Sequence, residues 1–224
     1  MLDNALFHGS DHIVETPWPG GGKIHNDYGP GFYCTENLEL AREWSCSDAP
    51  SAFVNHYAFE PAATLKIAHL DGPEYHVLNW LALLLKNRQF SIKHTLPQLA
   101  RDYVLQEFYP SLDGYDIICG YRADDSYFSI AADFLEGSLS LTQLKLALQL
   151  GHLGHQVFLQ SPRAFDALVF LSAEIVDRDI YLLRRQQRDI RAREAFRHMK
   201  ADQEGVLMID ILRNKWRNDD ERLR

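Results

Sequence analysis

Long apolar runs are missing from this 224-residue chain: none approaches the ~18 residues needed to span a bilayer. The N-terminal stretch MLDNALFHGSDH lacks the basic start and apolar core of a signal peptide. Cysteine is scarce. Cys34, Cys46 and Cys119 are an odd number without metal-ligand spacing, which excludes a disulfide scaffold and reads as buried thiols in a reducing cytoplasm. Positive charge is short too, with a net charge of −8. Residues 178–224 hold 13 Lys+Arg against 9 Asp+Glu, so the acidic excess lies in the first 177 residues. An acidic body with a basic tail lacks the patch of a general nucleic-acid binder. There is no phosphate-binding loop, no serine elbow and no cysteine in a nucleophile motif. His152 and His155 (HLGH), with His8, His12 and His25, match no zinc pattern, so no metal is expected.

What is present is a mixed pattern of strands and helices. Short strands are expected at 5–8, 52–60, 64–70, 115–121, 155–160 and 167–175. Helices are expected near 36–47, 74–88, 96–109, 123–137 and 140–151, with glycine stops at Gly137 and Gly151. Residues 16–31 are glycine- and proline-rich loop. Strands at both ends of the body with helices between them argue for α+β rather than a regular βαβ series. The domain expected is 1–176, with a charged, mostly helical extension at 177–224 packed on or beside it.

Three stretches have chemical potential. In LFHGS, His8 ends a strand and Gly9 lets a ligand approach the backbone. In DYGPGFYCTENLELAREW, glycines flank Pro30, Tyr33 follows on a short strand, and Trp44 sits eleven residues later on a helix. Two aromatics facing one cavity would make a slot for a flat ring, better still for a cationic one. In HQVFLQ, Gln156, Phe158 and Gln160 share one strand face, either a solvent face or a polar contact to ligand, and spacing does not separate Gln156 from Gln160.

In this order and with these spacings, the three stretches resemble the ADP-ribosyltransferase fold of the His-Tyr-Glu branch. More closely, WLALLLKNR (80–88), YDIICGYRADD (115–125) and the glutamine-containing third stretch resemble the bacterial family of domain of unknown function 3990. The resemblance implies a split antiparallel β-sheet core with flanking helices. It implies NAD as ADP-ribose donor, with His8, Gly9, Ser10, Gly31, Tyr33 and Trp44 in its binding. His8, Tyr33 and Gln156 would occupy the catalytic positions, Gln156 standing where relatives usually carry Glu. A glutamine bonds a ribose hydroxyl but carries no charge and is no base, so Asp124 and Asp125 are candidates for the missing acid. A serine found in many relatives is here Ala41.

The resemblance thus implies a cytoplasmic mono-ADP-ribosyltransferase, a toxin or defence effector that modifies a macromolecule and sits beside a small antitoxin-like partner, with no membrane involved. The alternatives are an NAD glycohydrolase and a silent nucleotide- or partner-binding module on the same fold. The arginine-rich segment 184–200 reads either as a solvated helix face or as a surface for an acidic partner.

Overall fold

The computed structural model describes residues 2, 4–89, 92, 94–123, 125–147, 154–199 and 205–224, the side chains of 125–127 excepted. The architecture is α+β, with two sheets. Strands β1 (Ala5–Ser10), β3 (Phe53–Phe59) and β7 (Leu168–Ile175) form an antiparallel sheet in the order β1-β3-β7. Strands β2 (Phe32–Cys34), β4 (Ile67–His69), β5 (Ile117–Tyr121) and β6 (His155–Leu159) form the second, in the order β2-β6-β5-β4. The β4–β5 pair is parallel, which departs from the all-antiparallel core expected. The reason is the long connection between them, which holds two helices, α2 (Val77–Asn87) and α3 (Thr95–Phe108), and can cross over.

The helices form where apolar periodicity and caps coincide. Asn37 caps α1 (Leu38–Ser45) by accepting from the Leu40 N–H at 3.1 Å. The α2 sequence VLNWLALLL is apolar nearly all round and is buried all round. It packs with α3, α4 (Asp125–Leu135), α5 (Leu141–Ala147) and α8 (Met208–Asn214) against Ile118 and Phe158 of the second sheet. A second core of Leu6, Phe32, Tyr57, Ile117, Val157 and Leu159 lies between the two sheets. The second sheet is therefore covered on both faces, and Gln156–Leu159 are all buried. The solvent-face reading of HQVFLQ is overturned by that double cover. SPRAFD (161–166), between the strands expected at 155–160 and 167–175, contains a short helix, α6 (Pro162–Asp166), with Ser161 as its cap and proline in its first turn.

The basic tail is tied to the body. Helix α7 (Arg178–Arg197) lies against α1: Arg188 makes a two-pronged bond to the buried Glu43 at 2.6 and 2.8 Å, and Arg184 reaches Glu39 at 2.7 Å. Arg178 and Arg185 donate to the carbonyls of Ser47 and Cys46. Beyond α8, Trp216 and Leu223 join the same core as α2. No described helix is long and apolar enough to cross a membrane.

Candidate functional site

The two sheets meet at one point and then part. Phe7 of β1 and Thr35 beside β2 exchange both backbone hydrogen bonds, at 2.8 and 2.9 Å. In a strand, N–H and C=O groups two residues apart project from the same edge. The backbone groups of Gly9 therefore project toward the side on which β2 has turned away. A cavity of about 340 Å³ opens there, within the size range of small-molecule sites. It is lined by His8, Gly9, Ser10, Gly31, Tyr33, Trp44 and Gln156, so the structure brings every described binding residue expected from sequence to one place. Loop 16–31 supplies its rim, including Trp18, which is 63% exposed.

The His8 ring is fixed from both sides. Its Nδ1 lies 2.7 Å from the Tyr33 carbonyl oxygen, which only accepts, so Nδ1 carries the proton and Nε2 is left as an acceptor. The ring packs on Phe32 at 4.3 Å between centroids. Burial lowers the His8 pKa to about 4, which keeps the imidazole neutral at physiological pH. The Tyr33 hydroxyl donates to the Gly29 carbonyl at 2.6 Å and accepts from the Tyr28 N–H at 3.1 Å, and burial raises its pKa. Gly29 holds φ +97°, a conformation that favours glycine, so this turn and the tyrosine orientation are built together.

The glycines act differently from their first reading. A Cβ on Gly9 would stand 2.1 Å from the Ala41 carbonyl oxygen and 2.7 Å from the Ser45 nitrogen. The absent side chain thus admits helix α1 against β1, and with it Trp44, rather than serving ligand approach alone. A Cβ on Gly31 would meet the Phe158 ring at 2.2 Å, so this glycine is needed for β2 to close on β6. Ser10 serves the scaffold as well as the cavity wall: it receives a bond from the fully buried Asn55 at 3.1 Å. Asn55 also clips the 8–14 segment through His8 O, His12 O and the Val14 N–H.

Gln156 and Gln160, inseparable by spacing, have different duties. Gln160 donates to the Tyr115 carbonyl at 2.6 Å and closes a turn. Gln156 is 3% exposed, lines the cavity and donates through Nε2 to Asp27 at 2.9 Å and to the Tyr121 carbonyl at 3.1 Å. Asp27 is the acid that sequence reasoning missed. It lies in the very stretch DYGPGFY that was singled out, but only folding places it beside residue 156. Of the acids expected instead, Asp124 lies outside the described residues; Asp125 begins α4, and its side chain is outside them too. Gly151 and His152 are likewise outside the described residues.

Trp44 shares the cavity wall with Tyr33 and carries a planar cation already: the Arg122 guanidinium carbon stands 4.2 Å from its ring centroid. Arg88 and Arg122, both lining the cavity, were also missed, because a lone arginine has no local signature. Among the described residues no group of three or more His, Cys, Asp or Glu is placed to hold a metal ion. The three thiols carry no disulfide and are buried, and burial raises the pKa of each, that of Cys119 to about 12.

No curated protein and no solved structure matches the chain. The family model described as "Protein of unknown function (DUF3990)" matches residues 4–170, which take in β1 through the start of β7 and every residue of the cavity. The chain belongs to the DUF3990 family.

Proposed function

We propose that this protein is a mono-ADP-ribosyltransferase of the ADP-ribosyltransferase fold, using NAD as donor and a macromolecule as acceptor. The observation that carries this reading is the parting of β1 from β2, which aims the backbone of Gly9 into a cavity flanked by Tyr33, Trp44, His8 and Gln156. A carboxamide has one donor and one acceptor on neighbouring atoms and would continue the strand ladder along Gly9. The cationic nicotinamide ring suits the aromatic faces of Tyr33 and Trp44, and Trp44 already accepts a planar cation from Arg122. Neutral His8, with Nε2 as acceptor, suits a ribose hydroxyl.

In the proposed reaction the bond between ribose C1′ and the nicotinamide nitrogen breaks, and both electrons leave with neutral nicotinamide. The acceptor's oxygen or nitrogen forms the new bond to C1′ and gives up its proton to solvent. Charge develops on the ribose as in glycoside cleavage. Gln156 accepts from a ribose hydroxyl in this scheme but supplies no base, so single transfer fits better than chain growth. The setting proposed is inside a cell, as a toxin or defence effector restrained by a small antitoxin-like partner.

The test is to mix the protein with NAD labelled in its adenylate, alongside protein, RNA and DNA fractions of a bacterial lysate. Tyr33→Ala, checked as folded by near-ultraviolet circular dichroism, runs in parallel. Label on one fraction, lost in the variant, supports transfer and names the acceptor class. Label released only as ADP-ribose makes the protein a glycohydrolase. No consumption of NAD overturns the enzyme reading in favour of a binding module.

A further inference from the structure

We propose that Asp27 is the positioning residue of this site. It fixes the Gln156 amide with Oε1 toward the cavity and holds its own negative charge within the cavity wall, paired to Arg88. The role of that oxygen toward a ribose hydroxyl rests on the function proposed above; the arrangement itself does not.

The orientation follows from the partners. Gln156 Nε2 faces a carboxylate oxygen of Asp27 at 2.9 Å and the Tyr121 carbonyl at 3.1 Å. Both are acceptors. Turning the amide over would set its oxygen against the Asp27 carboxylate and the Tyr121 carbonyl, whose other donors, the Ala123 N–H, the Tyr28 hydroxyl and the Trp80 N–H, are already engaged. The amide protons therefore stay committed and Oε1 is left as the cavity-facing group. Asp27 is held as firmly. The oxygen that binds Gln156 also accepts from the Ala123 N–H at 2.9 Å. The other takes two nitrogens of Arg88, each at 2.8 Å. Every partner of Asp27 is a donor, and the residue is 2% exposed. A carboxylate drawing on one end of an amide polarises the other, so Oε1 becomes a stronger acceptor than an isolated glutamine oxygen. Arg88 balances the charge within the same network.

This arrangement makes glutamate the wrong residue at position 156. Its carboxylate would confront Asp27 and the Tyr121 carbonyl with no proton to offer, and like charges at that separation suppress each other's ionisation. Asparagine at position 27 makes the converse error. Whichever way it turns, its N–H₂ opposes a donor, either Gln156 and the Ala123 N–H or Arg88, so the anchor that fixes the Gln156 amide is weakened. Combined in one chain, Asp27→Asn and Gln156→Glu restore one pairing: the new amide donates to the new carboxylate, whose second oxygen faces the cavity, while the Ala123 N–H and the Tyr121 carbonyl keep mismatched partners.

The experiment is a double-mutant cycle of Asp27→Asn, Gln156→Glu and both together, read in two ways. In urea unfolding, each single variant lowers the midpoint, and Gln156→Glu loses more at pH 8 than at pH 5. The double variant regains part of the loss and its pH dependence. In NAD turnover, each single variant lowers kcat about tenfold or more while nicotinamide alone binds as to wild type, and the double variant exceeds both. Strictly additive unfolding losses overturn the proposal, as does an Asp27→Asn enzyme with unchanged kcat. If wild type consumes no NAD, the functional reading falls and the unfolding cycle still decides the network. If the variants do not fold, side-chain amide exchange in ¹⁵N-labelled wild type decides it. Gln156 protons exchanging as fast as those of exposed glutamines overturn the proposal, and protected ones support it.

Discussion

Gly9→Ala separates the two uses of that glycine. Real Cβ atoms stay beyond 3.0 Å, so a methyl 2.1 Å from the Ala41 oxygen requires a shift of about an ångström. The atom it meets is helix backbone, which does not yield like a flexible side chain. Overpacking of this kind costs about 1–3 kcal/mol. Replacing glycine in a strand returns roughly 0.5–1 kcal/mol of chain entropy. The net expectation is a loss of about 1–2 kcal/mol, which for a chain of this size lowers Tm by about 3–6 °C. Because the displaced helix carries Trp44, the tryptophan near-ultraviolet signal should change with it. The assay is urea unfolding with circular dichroism, without any ligand. A variant within 0.5 kcal/mol of wild type and spectroscopically identical would refute the packing argument and return Gly9 to a ligand-approach role alone.

Arg188→Ala should cost about 3 kcal/mol or more in urea unfolding, because it strands Glu43, a buried carboxylate, without its partner; adding Glu43→Gln should recover most of that loss. Acid should destabilise the protein. Burial depresses the pKa of His8 and of His76 to about 4, so below the ordinary value near 6.5 the unfolded chain takes up protons that the folded one refuses. Stability present above pH 6.5 is therefore lost as pH falls toward 4, by up to about 3 kcal/mol per histidine. His8→Gln and His76→Gln should each flatten the slope of Tm against pH over that window, and parallel slopes would contradict the assignment. The thiols should resist an aromatic disulfide reagent at pH 8 until the protein unfolds, since Cys34, Cys46 and Cys119 are buried with raised pKa values.

The α+β class was legible because its signals are local. Apolar periodicity marked α2, glycine stopped the helix before Gly137, and alternating or apolar runs marked β3, β5 and β7. The residues that carry local backbone punctuation were legible as a site for the same reason. His8-Gly9 stood out by its glycine, although the strand expected to end at His8 runs on through Ser10, Tyr33 stood out after its glycine turn, and Trp44 follows at a fixed helical distance. The α6 helix was missed because five residues give too short a period to register. The parallel β4–β5 pair was missed because strand direction depends on where a long connection returns.

Sequence by itself determined which segments could be strand or helix, and which short stretches had the residues to shape a slot. Only tertiary structure decided which glutamine faces the cavity, that both faces of β6 are covered, and that Arg184 and Arg188 of α7 are spent on α1. It also decided that the acid beside Gln156 is Asp27, 129 positions away along the chain. The physical reason is range. Turn and helix preferences act within a few residues, whereas buried hydrogen bonds and ion pairs are settled by whichever groups packing brings within 3 Å or so, and no local pattern encodes that meeting.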